Sequence, residues 1–97
     1  MAKYHLSKWA EKDLTNIAFY TIQRFGIRQA NVYRDWFFKA FEVVADFPLI
    51  GSDQSQIKKG IRRYVYESHA IYYRVDPDEV LILRILGPGE DPLHHII

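Results

Sequence analysis

The 97-residue sequence predicts an α+β fold: a short N-terminal strand, an antiparallel helical hairpin, and an antiparallel sheet of three or more strands against which the hairpin packs. Three observations carry this reading. Across residues 8–47, apolar side chains recur at three- and four-residue spacings, the period of helices with one buried face. Across residues 61–86, three short runs rich in Ile, Val and Tyr lack that period. The joints between neighbouring segments are too short for crossovers, so successive elements must run antiparallel.

Lys3-Tyr4-His5-Leu6 alternates like an opening strand, and Ser7 stands where a helix N-cap is wanted. Ala10, Leu14, Ile17, Ala18, Thr21 and Phe25 then form the inner face of a first helix, with Gly26 at its C-terminal stop. Ala30, Tyr33, Phe37, Ala40, Phe41, Val44 and Phe47 form the stripe of a second helix, which Pro48 ends because it has no N–H to donate. Val32, Trp36, Phe38 and Val43 lie off that stripe. They are either buried on a second side of the helix or present a docking surface. Pro48, Gly51, Ser52, Asp53, Ser55 and Gly60 mark residues 48–60 as a loop. The strands are Ile61–Glu67, His69–Val75 and Val80–Leu86, joined at Ser68 and at Asp76-Pro77-Asp78. The chain is expected to be one domain over 1–97: hairpin about 8–47, sheet about 61–86, tail 87–97.

Composition narrows the class. At 48% hydrophobic and 26% charged, the chain is too apolar for disorder. It has no cysteine, which excludes disulfides, thiolate metal sites and cysteine nucleophiles. No apolar run spans a membrane, and Met1 to Trp9 lacks a signal-peptide layout, so a cytoplasmic protein is expected. The formal charge of +1 conceals an uneven distribution. Residues 51–75 carry five basic and two acidic groups, whereas 76–97 carry Arg84 against five acids. A basic middle of this kind steers anionic partners.

Three constellations could carry chemistry. Lys58, Lys59, Arg62, Arg63, Arg74 and Arg84 form the basic set. Arg62 and Tyr64 share one strand face, and Arg63 and Val65 the other. If Arg62, Arg74 and Arg84 meet on the face away from the helices, they make a cationic floor for phosphate or carboxylate. Alternatively, that face is solvated and pairs with Glu67, Asp76 and Glu79. His94 and His95, with Asp91, either move protons in phosphodiester cleavage or are simply solvated; no metal-ligand spacing surrounds them. Tyr64, Tyr66, Tyr72 and Tyr73 either stack bases or are ordinary half-buried strand residues.

Gly60-Ile61-Arg62-Arg63-Tyr64, then His69-Ala70-Ile71-Tyr72-Tyr73-Arg74-Val75, then Ile82-Leu83-Arg84-Ile85-Leu86 together resemble the ParE toxins of the RelE/ParE superfamily. Leu6-Ser7 before Ala10, Asp13 and Leu14, Tyr20 before Gly26, Ala30 to Tyr33, Phe47-Pro48 with Gly51, and Asp91-Pro92 extend the similarity over essentially the whole chain. The resemblance implies a bacterial toxin of a type II toxin–antitoxin system, bound in a hetero-oligomer by a ParD-like antitoxin. Such toxins inhibit DNA gyrase, so that DNA breaks accumulate, and they act as protein inhibitors without cofactor or metal. RelE relatives instead cut ribosome-bound mRNA. On that alternative, Arg62 and Arg84 occupy the positions of arginines that hold the scissile phosphate, and His94 or His95 moves the proton. The tail tyrosine of many RelE-type enzymes has no equivalent here, which favours the ParE reading. The antitoxin is expected on Val32, Trp36, Phe38 and Val43, and the target on Lys58, Lys59, Arg62, Arg63, Arg74 and Arg84. A toxin fold that has lost its toxicity is a third possibility.

Overall fold

A computed structural model of the chain describes residues 3–96; Met1 and Ala2 of the N-terminal stretch and Ile97 of the tail lie outside it. The elements are β1 (Tyr4–Leu6), α1 (Lys8–Phe25), α2 (Ile27–Asp46), β2 (Ser52–Asp53), β3 (Ile61–Tyr66), β4 (His69–Val75), β5 (Val80–Leu86) and α3 (Pro92–His95).

The Ser7 hydroxyl accepts the Ala10 N–H at 3.0 Å and donates to the Leu83 carbonyl at 2.7 Å. One side chain therefore caps α1 and ties it to β5. Gly26 lies at φ +91°, ψ 169°, a region open at little cost only to glycine. Its N–H donates to the Ile22 carbonyl and its own carbonyl accepts from Ala30, so this residue closes α1 and opens α2. α2 stops because Phe47, preceding Pro48, is pushed out of helical geometry to φ −130°, ψ 72°.

The strands form one sheet in the order β1-β5-β4-β3-β2. The β3–β4–β5 meander is antiparallel, with Glu67 at φ +54° in its two-residue first turn. Two features go beyond the sequence reading. β1 runs parallel to β5, Tyr4 opposite Val80, because the hairpin and meander return the chain to it in the same direction. Ser52–Asp53, expected as loop, pairs with Arg63 and Arg62; two polar residues have no strand pattern of their own and are recruited by β3. In β5, Tyr72 opposes Arg84 while Tyr73 opposes Ile82, so Leu83 is a bulge.

The main core lies between hairpin and sheet: Ala10, Phe37, Ala40, Phe41 and Val44 meet Ile71, Tyr73, Val80, Ile82 and Ile85. Two residues expected on the buried stripes are exposed instead, Phe25 at 70% and Phe47 at 65%. Each sits at the extreme end of its helix, beyond Thr21 and Ala45, the last residues that are buried. The opposite sheet face carries a second, smaller core of Ile61, Tyr72 and Leu86, covered by Ile57 from the 54–60 loop and Ile96 from the tail.

Candidate functional site

A groove of about 610 Å³ runs between α1, α2 and one end of the sheet, lined among others by Ile17, Tyr20, Tyr33, Trp36, His69 and Ile85. The helices supply it because Tyr20 and Trp36 fall just outside the two core stripes, leaving them 55% and 40% exposed. At its floor, Tyr33 Oη lies 2.9 Å from His69 Nδ1. The His69 ring meets Tyr33 and Phe37 edge-on at centroid distances of 5.8 and 5.4 Å. Burial pushes the His69 pKa below its ordinary value, against the raising effect of the Glu90 carboxylate. With its proton on Nε2, the neutral imidazole accepts the Tyr33 O–H at Nδ1, and burial keeps that phenol protonated by raising its own pKa. His69 was missed in the sequence, although it shares the helix-facing parity of Ile71 and Tyr73.

Of the four candidate docking residues on α2, Trp36 lines this groove. Val32 and Val43, four residues before and seven after it, fall on the same helix face; Val32 is 37% exposed and Val43 half-buried. Phe38 lies across the helix and packs edge-on against Phe41 at 5.8 Å, in the main core. α2 therefore buries Phe38 on its core side and leaves Val32 and Trp36 part-exposed on another.

The cationic floor does not assemble as anticipated. Arg62 opposes Tyr73 and so lies on the helix-facing side, where it donates to the carbonyls of Gly51 at 3.0 Å and Leu49 at 3.2 Å. Arg63, which opposes Tyr72, takes its place on the outer face with Arg74. Arg74 pairs with Asp76 at 2.7 Å. Arg84 reaches back to α1, where its Nε and Nη2 donate to Asp13 at 2.8 and 2.9 Å, with the two side chains only 14% and 11% exposed. Asp13 also accepts the Ile85 N–H at 2.9 Å, at the edge of β5 beyond the end of β1. This hydrogen-bonded carboxylate holds the Arg84 guanidinium more firmly protonated than usual. Lys58 and Lys59 are exposed in the loop before β3.

The tyrosines are not stacking platforms. Tyr73 is fully buried, donating to the Pro48 carbonyl at 2.7 Å and accepting the Gly51 N–H at 2.9 Å. Tyr72 is 4% exposed, and Tyr64 and Tyr66 pack against the main core. In the tail, Asp91 caps the short α3 by accepting from Leu93 N–H. His94 Nε2 lies 3.6 Å from Asp91, and His95 Nε2 lies 3.8 Å from Glu90. The His95 carbonyl accepts from Arg84 Nη1 at 3.2 Å, tying the tail to the sheet. No helix among the described residues is long and apolar enough to cross a membrane.

Comparison with known proteins places this geometry. The family model described as ParE toxin of type II toxin-antitoxin system, parDE, matches residues 4–92. Toxin ParE1 of Caulobacter vibrioides is 33% identical over 96 residues, covering 99% of each chain. Toxin ParE1 of Mycobacterium tuberculosis is 31% identical over 91 residues, covering 93% of each chain. A chain of the chromosomal ParDE TA system from P. aeruginosa shares the fold, with a TM-score of 0.77 at 20% identity, covering 90% of this chain and 96% of that one. The chain therefore belongs to the ParE toxin family of type II toxin–antitoxin systems.

Proposed function

We propose that this toxin inhibits DNA gyrase as a protein ligand and is neutralised by a ParD-like antitoxin in a hetero-oligomeric complex. The observation that favours gyrase over mRNA cleavage is the placement of Arg62 and Arg84. They belong to opposite faces of the sheet, and Arg84 is already committed to Asp13 and the His95 carbonyl. Two arginines so placed do not converge on one scissile phosphate; of the tail histidines, His94 is 80% exposed at the side chain, and His95 meets Arg84 through its backbone carbonyl. A protein inhibitor requires only a surface, and Lys58, Lys59, Arg63 and Arg74 supply a basic one on the outer face. On this reading Arg62 supports the 49–51 loop and Arg84 holds the tail in place.

The antitoxin segment is assigned to the groove beneath Trp36, with Val32 and Val43 along the same helix face and Phe38 stabilising that helix from behind. The groove is open, apolar and rimmed with hydrogen-bonding groups, which suits an amphipathic segment that orders on binding. The P. aeruginosa neighbour comes from a ParDE system, which supports a partner of the same kind. Expression in a bacterial host without antitoxin separates the readings. Gyrase inhibition produces a DNA-break response while protein synthesis continues. A ribonuclease stops translation first and leaves cleaved mRNA.

A further inference from the structure

We infer that a small cleft on the outer sheet face binds one nucleotide unit, its base against Trp9 and its phosphate on Lys58 and Lys59. The cleft encloses about 210 Å³ between the start of α1, the loop before β3, β5 and the tail, with Trp9, Lys58, Lys59, Leu83, Arg84 and His95 among its walls. Among the described residues its lining contains no acidic side chain. Two of its cations are satisfied internally, Arg74 by Asp76 and Arg84 by Asp13. Lys58 and Lys59 have no ion-pair partner among the described residues, so these two lysines are left to meet an anion.

Trp9 decides what kind of anion. Its indole is 60% exposed, a large apolar surface to leave in water beside two lysines. Arg84 Cζ lies 5.5 Å from the ring centroid, and Lys12 Nζ, on an exposed side chain, lies 5.6 Å from it. Because Arg84 is itself fixed by Asp13 and the His95 carbonyl, the indole is backed by a rigid cation. An oriented indole next to cations is the arrangement that stacks a base while holding its phosphate. An acidic peptide would satisfy the lysines and leave the indole open. The cleft admits one ring rather than a helix, and it lies on the sheet face away from the groove under Trp36. The cleft shares Arg84 and His95 with the ribonuclease reading, but the ligand contacts fall on Trp9, Lys58 and Lys59, binding occurs without cleavage, and neither depends on gyrase as the target.

The test follows the backbone amide and the two indole N–H signals of the nitrogen-15-labelled chain, with Trp36 as the internal control. The probes are adenosine monophosphate, a short oligothymidylate, inorganic phosphate and a glutamate-rich peptide. Adenosine monophosphate and the oligonucleotide are expected to shift Trp9, Lys58, Lys59 and His95 saturably and leave Trp36 in place. Trp9→Ala weakens nucleotide binding about tenfold. Trp9→Phe keeps a stacking face and restores most of it. Lys58→Ala combined with Lys59→Ala weakens binding and flattens its salt dependence. All three positions are exposed, and an unchanged unfolding midpoint certifies each variant. An oligonucleotide binding well above the mononucleotide identifies a nucleic-acid strand as the source, and equal binding identifies a free nucleotide. The inference is overturned if Trp9 does not move with either nucleotide probe. It is equally overturned if inorganic phosphate binds as well and ignores Trp9→Ala, or if the glutamate peptide binds more tightly.

Discussion

Replacing Asp13 with Ala removes three hydrogen bonds at once: two from Arg84, at 2.8 and 2.9 Å, and one from the Ile85 N–H, at 2.9 Å. The guanidinium stays behind with only 14% of its side chain exposed, so it regains little hydration in place of the lost carboxylate. Stranding one member of a buried ion pair costs about 3–5 kcal/mol. The unpaired Ile85 N–H adds roughly 1 kcal/mol if water reaches the vacated edge of β5. Because both side chains keep some exposure, the low end of this sum applies, about 4 kcal/mol for Asp13→Ala, which for a chain of this size lowers the melting temperature by roughly 15–30 °C. Asp13→Asn keeps an acceptor for Ile85 but loses the charge, and should cost about half as much. Arg84→Met in the Asp13→Ala background removes the stranded cation and should recover at least about 1 kcal/mol of the loss. Urea denaturation of the four proteins measures all of these terms, with unchanged m-values certifying a common transition. A loss below about 1 kcal/mol for Asp13→Ala, or no recovery on adding Arg84→Met, would refute the idea that this pair locks α1 to the sheet.

Other positions give independent checks. A Cβ at Gly51 would sit 2.6 Å from the Tyr73 hydroxyl and 2.8 Å from the Arg63 carbonyl, so Gly51→Ala should cost about 3 kcal/mol by denaturation and Tyr73→Phe should relieve part of the clash. Trp36→Ala should weaken the antitoxin complex by about 2 kcal/mol in calorimetry, and a change under about 0.5 kcal/mol removes Trp36 from that interface. Because burial depresses the His69 pKa in the folded state, the unfolded chain takes up its proton first. Stability is then fully present above the ordinary imidazole value of 6.5 and declines as pH falls through it toward the folded value. His69→Gln should flatten that slope in melting curves taken across the interval.

Much of the fold was legible because local signals agreed with the tertiary result. Ser7 and Gly26 bound α1 chemically, the stripe from Ala30 to Val44 is the face that α2 buries, and the three Ile/Val/Tyr runs became β3, β4 and β5. What was hidden depends on partners distant in sequence. Ser52–Asp53 has strand geometry only because β3 offers an edge. β1 owes its parallel pairing to the path of everything between it and β5. The site was harder still, since strand parity separates Arg62 from Arg63 but cannot reveal the loop carbonyls that hold Arg62. Arg84 looked like a free cation because Asp13 lies 71 residues away. The groove needed Tyr20 and Trp36 from two helices and His69 from a strand, a convergence that no single-element pattern contains.

The most direct measurement of the central proposal is plasmid supercoiling by purified gyrase, with the chain added alone and then with its antitoxin. The account predicts lost supercoiling and accumulating cleaved DNA, both reversed by antitoxin, with Lys58→Ala plus Lys59→Ala weakening inhibition and His94→Ala plus His95→Ala sparing it. Unimpaired gyrase in the presence of folded, antitoxin-competent protein would contradict it.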